Sequence, residues 1–206
     1  MIIIGLGNPG EEYVGTRHNA GREAVALFGA KAGLDFKSDK KSNAQVAKKG
    51  TLTLVLPDTF MNKSGVSVGV FAKGAKKVKN PATGKVMKAY PQMIVVHDDL
   101  DIPLGKAKMS WNKSAGGHKG VQSVLKALGT EGVFRIRIGI TPAKANGDLK
   151  KPDHETISEN FIVAEFKDKE ALELKKVMKR VVEYLELAVS DSPERAMSEL
   201  NTAFNK

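Results

Sequence analysis

Met93-Ile94-Val95-Val96-His97-Asp98-Asp99-Leu100-Asp101 passes from an unbroken apolar run to a histidine and a set of acids. A short, β-branched run without polar alternation is the signature of a strand covered on both faces, as in a sheet with helices above and below. In open α/β sheets ligands gather beyond the carboxyl ends of such strands, so acids in this position are well placed for chemistry. Outward from this run, strand and helix patterns alternate. Residues 2–5 read as a strand, 19–33 as a helix with Ala24, Val25, Leu27 and Phe28 on its apolar stripe, and 44–56 as strand or hairpin. Residues 64–77 read as a helix, 79–85 as an exposed loop built on Asn80, Pro81 and Gly84, and 120–128 as a helix. Phe134, Ile136, Ile138 and Ile140 alternate with Arg135, Arg137 and Gly139 as in a half-buried strand. Leu174, Met178, Val181 and Leu185 recur at helical spacing, and Ser192-Pro193 is an N-cap followed by proline at the first helical position. The expected fold is α/β: a single three-layer domain over residues 1–206, with a mixed, mostly parallel twisted sheet flanked by helices and closed by C-terminal helices.

Composition narrows the function. With 41% hydrophobic and 27% charged residues the chain has the make-up of a globular protein, and no apolar run approaches a membrane span. The absence of cysteine excludes a disulfide scaffold, a cysteine nucleophile, a thiolate zinc site and an iron–sulfur cluster. Met1-Ile2-Ile3-Ile4 lacks a basic stretch and reaches glycine at once, so a buried first strand is expected rather than a signal peptide. The formal charge is +10, and because residues 151–206 carry more acids than bases, the basic excess lies in residues 1–150. Residues 72–90 hold Lys73, Lys76, Lys77, Lys79, Lys85 and Lys88 without an acid, which fits either a polyanion-binding surface or a solvated face.

Gly5-Leu6-Gly7-Asn8-Pro9-Gly10 matches a dinucleotide-binding spacing, but the fingerprint needs a helix opening at the glycines. Pro9, Gly10, Gly15 and Gly21 interrupt the stretch, so a tight loop presenting Asn8 is expected instead. His18 lies at a loop-to-helix junction, where a neutral imidazole accepts a proton or simply caps the chain. Asp98 is placed to hold a histidine in one tautomer and stabilise its cation, while Asp99 and Asp101 read as turn caps. Asn62 in Thr59-Phe60-Met61-Asn62-Lys63-Ser64-Gly65 offers a donor and an acceptor, or caps a turn. Ser114-Ala115-Gly116-Gly117-His118-Lys119-Gly120 brings backbone amides toward a following helix. No ligand spacing among His18, His97, Asp98 and His118 supports a metal site.

Together, the blocks around Asn8, Tyr13 and His18, then residues 59–65, 97–101, 116–120 and 134–140, resemble bacterial-type peptidyl-tRNA hydrolase in kind and order. The resemblance implies hydrolysis of the ester between a peptide and the 3′-terminal ribose of tRNA, by a cytoplasmic monomer that needs no metal, organic cofactor, membrane or obligate protein partner. It makes His18 the catalytic histidine, Asp98 its supporting aspartate and Asn8 the residue that discriminates blocked from free aminoacyl ends. It places Tyr13, Phe60, Met61, Asn62, Gly117, His118 and Lys119 at the substrate and Arg137 on a tRNA phosphate. Two positions depart from the pattern. Lys119 stands where asparagine is frequent, and Ser110 where a second phosphate-gripping lysine is expected, so Lys108 or Lys113 is the substitute. The rival readings are a non-catalytic, splicing-factor-like RNA-binding protein on the same scaffold and a dinucleotide-dependent enzyme.

Overall fold

Ile3 and Ile4 are neighbours on one strand, point to opposite sides of it and are both fully buried, so both faces of their sheet must be covered. The computed structural model describes residues 1–80, 83–143, 148–150 and 160–205 and shows how this is done. In chain order the elements are β1 (Ile2–Gly5), α1 (Ala20–Lys31), β2 (Lys37–Asp39), β3 (Ala44–Lys49), β4 (Leu52–Pro57), α2 (Ser64–Gly69), β5 (Lys76–Lys79), β6 (Val86–Pro103), β7 (Ala107–Trp111), α3 (Lys119–Leu128), β8 (Gly132–Thr141), α4 (Asp168–Ser190) and α5 (Pro193–Asn205). One mixed sheet runs in the order β2-β3-β4-β1-β6-β8-β7, with β5 added to β6. Its centre, β4-β1-β6-β8, is parallel, and antiparallel pairing is confined to the two edges and the β5 hairpin. Ile3, Ile94 and Val96 pack under α1, α4 and α5, whereas Ile4, Met93 and Val95 pack with Val68 of α2 and Val121, Val124 and Leu128 of α3. Leu174, Met178, Val181 and Leu185 are buried as their spacing requires. Leu27 departs from the expected apolar stripe of α1 and is 44% exposed.

Close backbone approach positions the site. A Cβ at Gly21, in the first turn of α1, would run into the Val96 carbonyl at the centre of β6. Only glycine lets α1 lie this near β6, and that nearness brings His18, just before the helix, to the strand carrying Asp98. The Gly5–Gly10 stretch leads into 3-10 turns at Glu11–Tyr13 and Arg17–Asn19, and α1 opens only at Ala20, so no helix N-terminus stands at these glycines.

Three expectations need correction. The helix expected over residues 64–77 ends at Gly69, and Lys76–Lys79 is strand β5, paired with residues 86–89. Continuing the helix would stack Lys73 on Lys76 and Lys77 as like charges three and four residues apart, and Gly74 at φ 78° turns the chain out of helical conformation. Second, the acids do not follow a short strand: β6 extends through His97, Asp98 and Asp99 to Pro103, with register shifts against β8 between Tyr90 and Ile94 and between Asp99 and Pro103. Third, β8 is not half-buried, because both its faces are covered: Phe134, Ile136, Ile138 and Ile140 join the core with α1, α4 and α5, and a loop lies over the other face. Arg135 is 3% exposed and donates from Nη2 to the carbonyls of Lys113 and Ser114 (3.2 and 2.8 Å), tying the 112–115 loop over the strand. Of the expected 79–85 loop, Pro81 and Ala82 lie outside the described residues.

Candidate active site

Asp98 is the hub of the site. It is 2% exposed, and its carboxylate takes hydrogen bonds from two histidines that arrive on different elements. His18 Nδ1 lies 3.0 Å from both Oδ1 and Oδ2, and His118 Nε2 lies 2.8 Å from Oδ1. Burial alone would raise the carboxyl, but the charges and hydrogen bonds of His18 and His118 outweigh it and hold Asp98 well below the usual carboxylate range. An ionised Asp98 only accepts, so both ring nitrogens facing it carry protons.

The tautomers follow from the partners. His118 caps α3, its Nδ1 accepting from the amides of Gly120 (3.1 Å) and Val121 (3.2 Å). The lone pair is therefore on Nδ1 and the proton on Nε2, aimed at Asp98. His18 carries its proton on Nδ1 and keeps a lone pair on Nε2, for which no partner exists among the described residues. His18, Asp98 and His118 offer ligand atoms within 4.8 Å of one another. The donor set suits a metal poorly, because His118 would have to abandon its cap to turn a lone pair toward the centre.

His97 completes the cluster. Its Nδ1 donates to the Asp98 carbonyl at 2.6 Å, its ring meets that of His118 edge-on with centroids 4.8 Å apart, and its Nε2 is buried without a partner. Burial, then the nearby charges of His118 and Arg135, hold it well below the usual histidine range against the opposing pull of Asp98. Because the folded value is depressed, the unfolded chain takes up a proton below about pH 6.5 that native His97 refuses. Stability should therefore fall as pH drops through that value, by up to about 1.4 kcal/mol per pH unit. His97→Asn keeps a donor near Nδ1 without the titration. Urea unfolding at pH 7.0 and 5.5 should show a smaller loss for the variant than for the parent, and equal losses would contradict this assignment.

Asn8 stands beside this group on the loop after β1. Its amide N–H donates to Asn19 Oδ1 (2.8 Å), Asn19 Nδ2 donates back to the Asn8 carbonyl (3.0 Å), and Asn8 Oδ1 accepts from the Met61 amide (2.8 Å). The Asn19 contacts hold the Asn8 backbone and the Met61 contact orients its side chain, leaving the side-chain Nδ2 as a donor without a protein partner among the described residues. Met61 is buried, whereas Phe60 is 57% exposed and meets Tyr13 edge-on at 6.4 Å, an aromatic pair open to solvent. Asn62, Gly117, Lys119, Lys108 and Lys113 are all exposed. Gly116 and Gly117 turn at φ 58° and 82°, a pair of left-handed positions that glycine adopts without strain. Lys108 lies opposite Arg137 across β7 and β8, and Ser110 Oγ is buried without a partner. Arg137 Nε donates to Asp99 Oδ2 at 2.7 Å, and Asp99 Oδ1 accepts from the Asp101 amide within β6, so Asp99 braces the irregular end of a strand and pairs with the arginine instead of capping a turn.

Sequence reasoning missed three supports. Asn19 was visible only as a neighbour of His18. His118, expected at the substrate, also holds Asp98. Arg17, 4% exposed, has its guanidinium 4.6 Å from the ring centres of both Phe161 and Phe166 and donates to Glu170 Oε2 at 2.7 Å. With the Arg17 and His18 amides bonded to the carbonyls of Ala164 and Ile162, residues 161–166 strap the His18 segment from behind. Such distant partners carry no local signal.

Comparison with known proteins identifies the family. The family described as peptidyl-tRNA hydrolase matches residues 2–206. The peptidyl-tRNA hydrolase of Thermodesulfovibrio yellowstonii is 36% identical over 204 residues, covering 98% of each chain. That of Aquifex aeolicus is 35% identical, covering 97% of this chain and 95% of its own. The crystal structure of peptidyl-tRNA hydrolase from Acinetobacter baumannii superposes with a TM-score of 0.80 at 27% identity, over 97% of this chain and 93% of that one.

Proposed function

The chain belongs to the peptidyl-tRNA hydrolase family and hydrolyses peptidyl-tRNA, and we propose that it does so with a water molecule activated by His18. The observation that carries this reading is the orientation of His18. Its Nδ1–H is spent on a buried, ionised Asp98, so its Nε2 lone pair is free to act as a base. His18 takes a proton from water as the oxygen attacks the ester carbonyl, and Asp98 stabilises the imidazolium that forms. The Asn8 amide nitrogen, Asn62 and the amides of the Gly116-Gly117 turn are the donors available to the oxyanion, each worth about 10² in rate or more when preorganised. Collapse of the tetrahedral intermediate breaks the bond to the ribose oxygen, which leaves with the proton held by His18. The products are a free peptide carboxylate and a tRNA with its 3′ hydroxyl restored. A ribose hydroxyl leaves far more readily than an amide nitrogen, so no enzyme nucleophile is needed.

In this reading Tyr13, Phe60 and Met61 receive the end of the peptide, Asn8 reads its blocked nitrogen, and His118 acts by steadying Asp98. Lys108, Lys113, Lys119 and Arg137 face the tRNA, with Arg137 exchanging part of its Asp99 pairing for phosphate. The protein works as one domain over residues 1–206, a cytoplasmic monomer without metal or organic cofactor. Among the described residues no helix is long and apolar enough to cross a membrane.

N-acetyl-aminoacyl-tRNA labelled in the acyl group tests this directly. Acid quenching during turnover should find the label as free N-blocked amino acid and none on the protein. Protein-bound label would contradict attack by water. Binding without release would favour the non-catalytic RNA-binding alternative.

A further inference from the structure

The lysine-rich segment is a built feature of the fold. Strands β5 and the start of β6 form a hairpin that continues the sheet past the N-terminal end of β1, and Lys76, Lys77, Lys79, Lys85 and Lys88 are exposed on it. Lys77 lies directly across from Lys88, a like-charge pair that weakens a hairpin. Some surface cations elsewhere do have acid partners, as in Lys31–Glu186, Lys176–Glu173 and Arg195 with Asp191 and Glu199. Among the described residues no acid pairs with Lys73, Lys76, Lys77, Lys79 or Lys85. A surface that accepts uncompensated repulsion in its unliganded form is suited to an anionic partner.

The direction of that surface names the partner. Lys88 Nζ donates to the Leu128 carbonyl at the C-terminal end of α3, while the N-cap of the same helix is His118, which touches Asp98. Helix α3 therefore measures the distance from the catalytic centre to the base of the hairpin. Ten residues at 1.5 Å each give about 15 Å, and the four-residue hairpin strands reach about 13 Å further. Lys77 and Lys79 project on the same side of the sheet as Lys88 and α3, by the alternation of the paired strands. Lys119 and Lys126, exposed on α3, lie between the two ends. The spacing is too great for the hairpin to touch the scissile ester, yet a polyanion whose 3′ end enters the site and whose body runs along α3 would meet it.

Resting on the hydrolase reading above, we propose that the Lys76–Lys79/Val86–Lys88 hairpin is a second tRNA contact, gripping backbone phosphates of the double-helical body of the substrate away from its 3′ end. The contact is to phosphates and so independent of base sequence. It acts on the binding of whole tRNA and leaves the chemical step alone.

The test uses the full chain carrying Lys76→Gln, Lys77→Gln and Lys79→Gln together, with Lys88 retained because it caps α3. Two substrates are compared: full-length N-acetyl-aminoacyl-tRNA and a short N-acetyl-aminoacyl-RNA fragment ending in the same 3′ nucleotides. For the full-length substrate the expected result is a KM about tenfold higher at low salt and a slope of log affinity against log salt shallower by about 2, with kcat unchanged. The fragment should be cleaved like the parent. Equal losses on both substrates would overturn the proposal by placing the hairpin at the ester. An unchanged full-length KM and slope would overturn it in favour of lysines that only guard an edge strand, which increased self-association of the variant would reveal. Failure of the parent to cleave the full-length tRNA substrate would instead refute the hydrolase reading, so the two failures are distinguishable.

Discussion

Replacing His18 with alanine is expected to lower the single-turnover rate of ester cleavage by about 10² to 10⁴, the worth of a positioned general base. The fold should survive. The imidazole is a small part of the buried surface, Asp98 keeps its hydrogen bond from His118, and the backbone of His18 stays bonded to the Ile162 carbonyl. Binding of uncleaved tRNA should also be nearly unchanged, because the basic groups assigned to phosphate are elsewhere. A variant retaining more than about a tenth of the parent rate would contradict the role of His18 as base.

Asp98→Asn is expected to cost as much, by a different route. An amide offers one acceptor oxygen and one donor nitrogen to two histidines that both point N–H groups at it. His118 is pinned by the amides of Gly120 and Val121, so the amide oxygen must stay with its Nε2–H. The nitrogen is then left at the Oδ2 position, 3.0 Å from His18 Nδ1, where two donors would collide. His18 escapes by moving its proton to Nε2, which removes the lone pair that activates water. A loss of up to about 10⁴ follows, as for a misassigned tautomer in a hydrolytic triad. Single-turnover kinetics with full-length substrate provide the check, and a rate within about threefold of the parent would remove Asp98 from the mechanism.

The core of the sheet was legible because residues 2–5 and 93–96 are unbroken apolar runs and 134–140 alternate, and Leu174, Met178, Val181 and Leu185 marked α4 by period alone. Pattern failed where tertiary pairing decided the outcome. Residues 76–79 became strand because 86–89 lay beside them, and Arg135 was buried because a loop roofed it with carbonyls. His18 and Asp98 could be singled out because a histidine just before a helix and an acid just after an apolar run suit proton transfer. Their pairing across 80 positions could not be read from local spacing. The same limit hid His118 as a holder of Asp98 and Arg17 as the anchor of the strap, since each depends on partners brought together only by folding.

The claim that Asp98 acts through His18 is tested most directly by combining the two substitutions. Single-turnover rates of His18→Ala, Asp98→Asn and the double variant complete a mutant cycle on the same full-length substrate. If Asp98 serves to orient His18 and stabilise its cation, nothing remains for it to do once the imidazole is gone. The double variant should then cleave at the rate of His18→Ala, within about threefold. A double variant slower by the product of the two separate losses would show that Asp98 and His18 contribute independently, contradicting the mechanism.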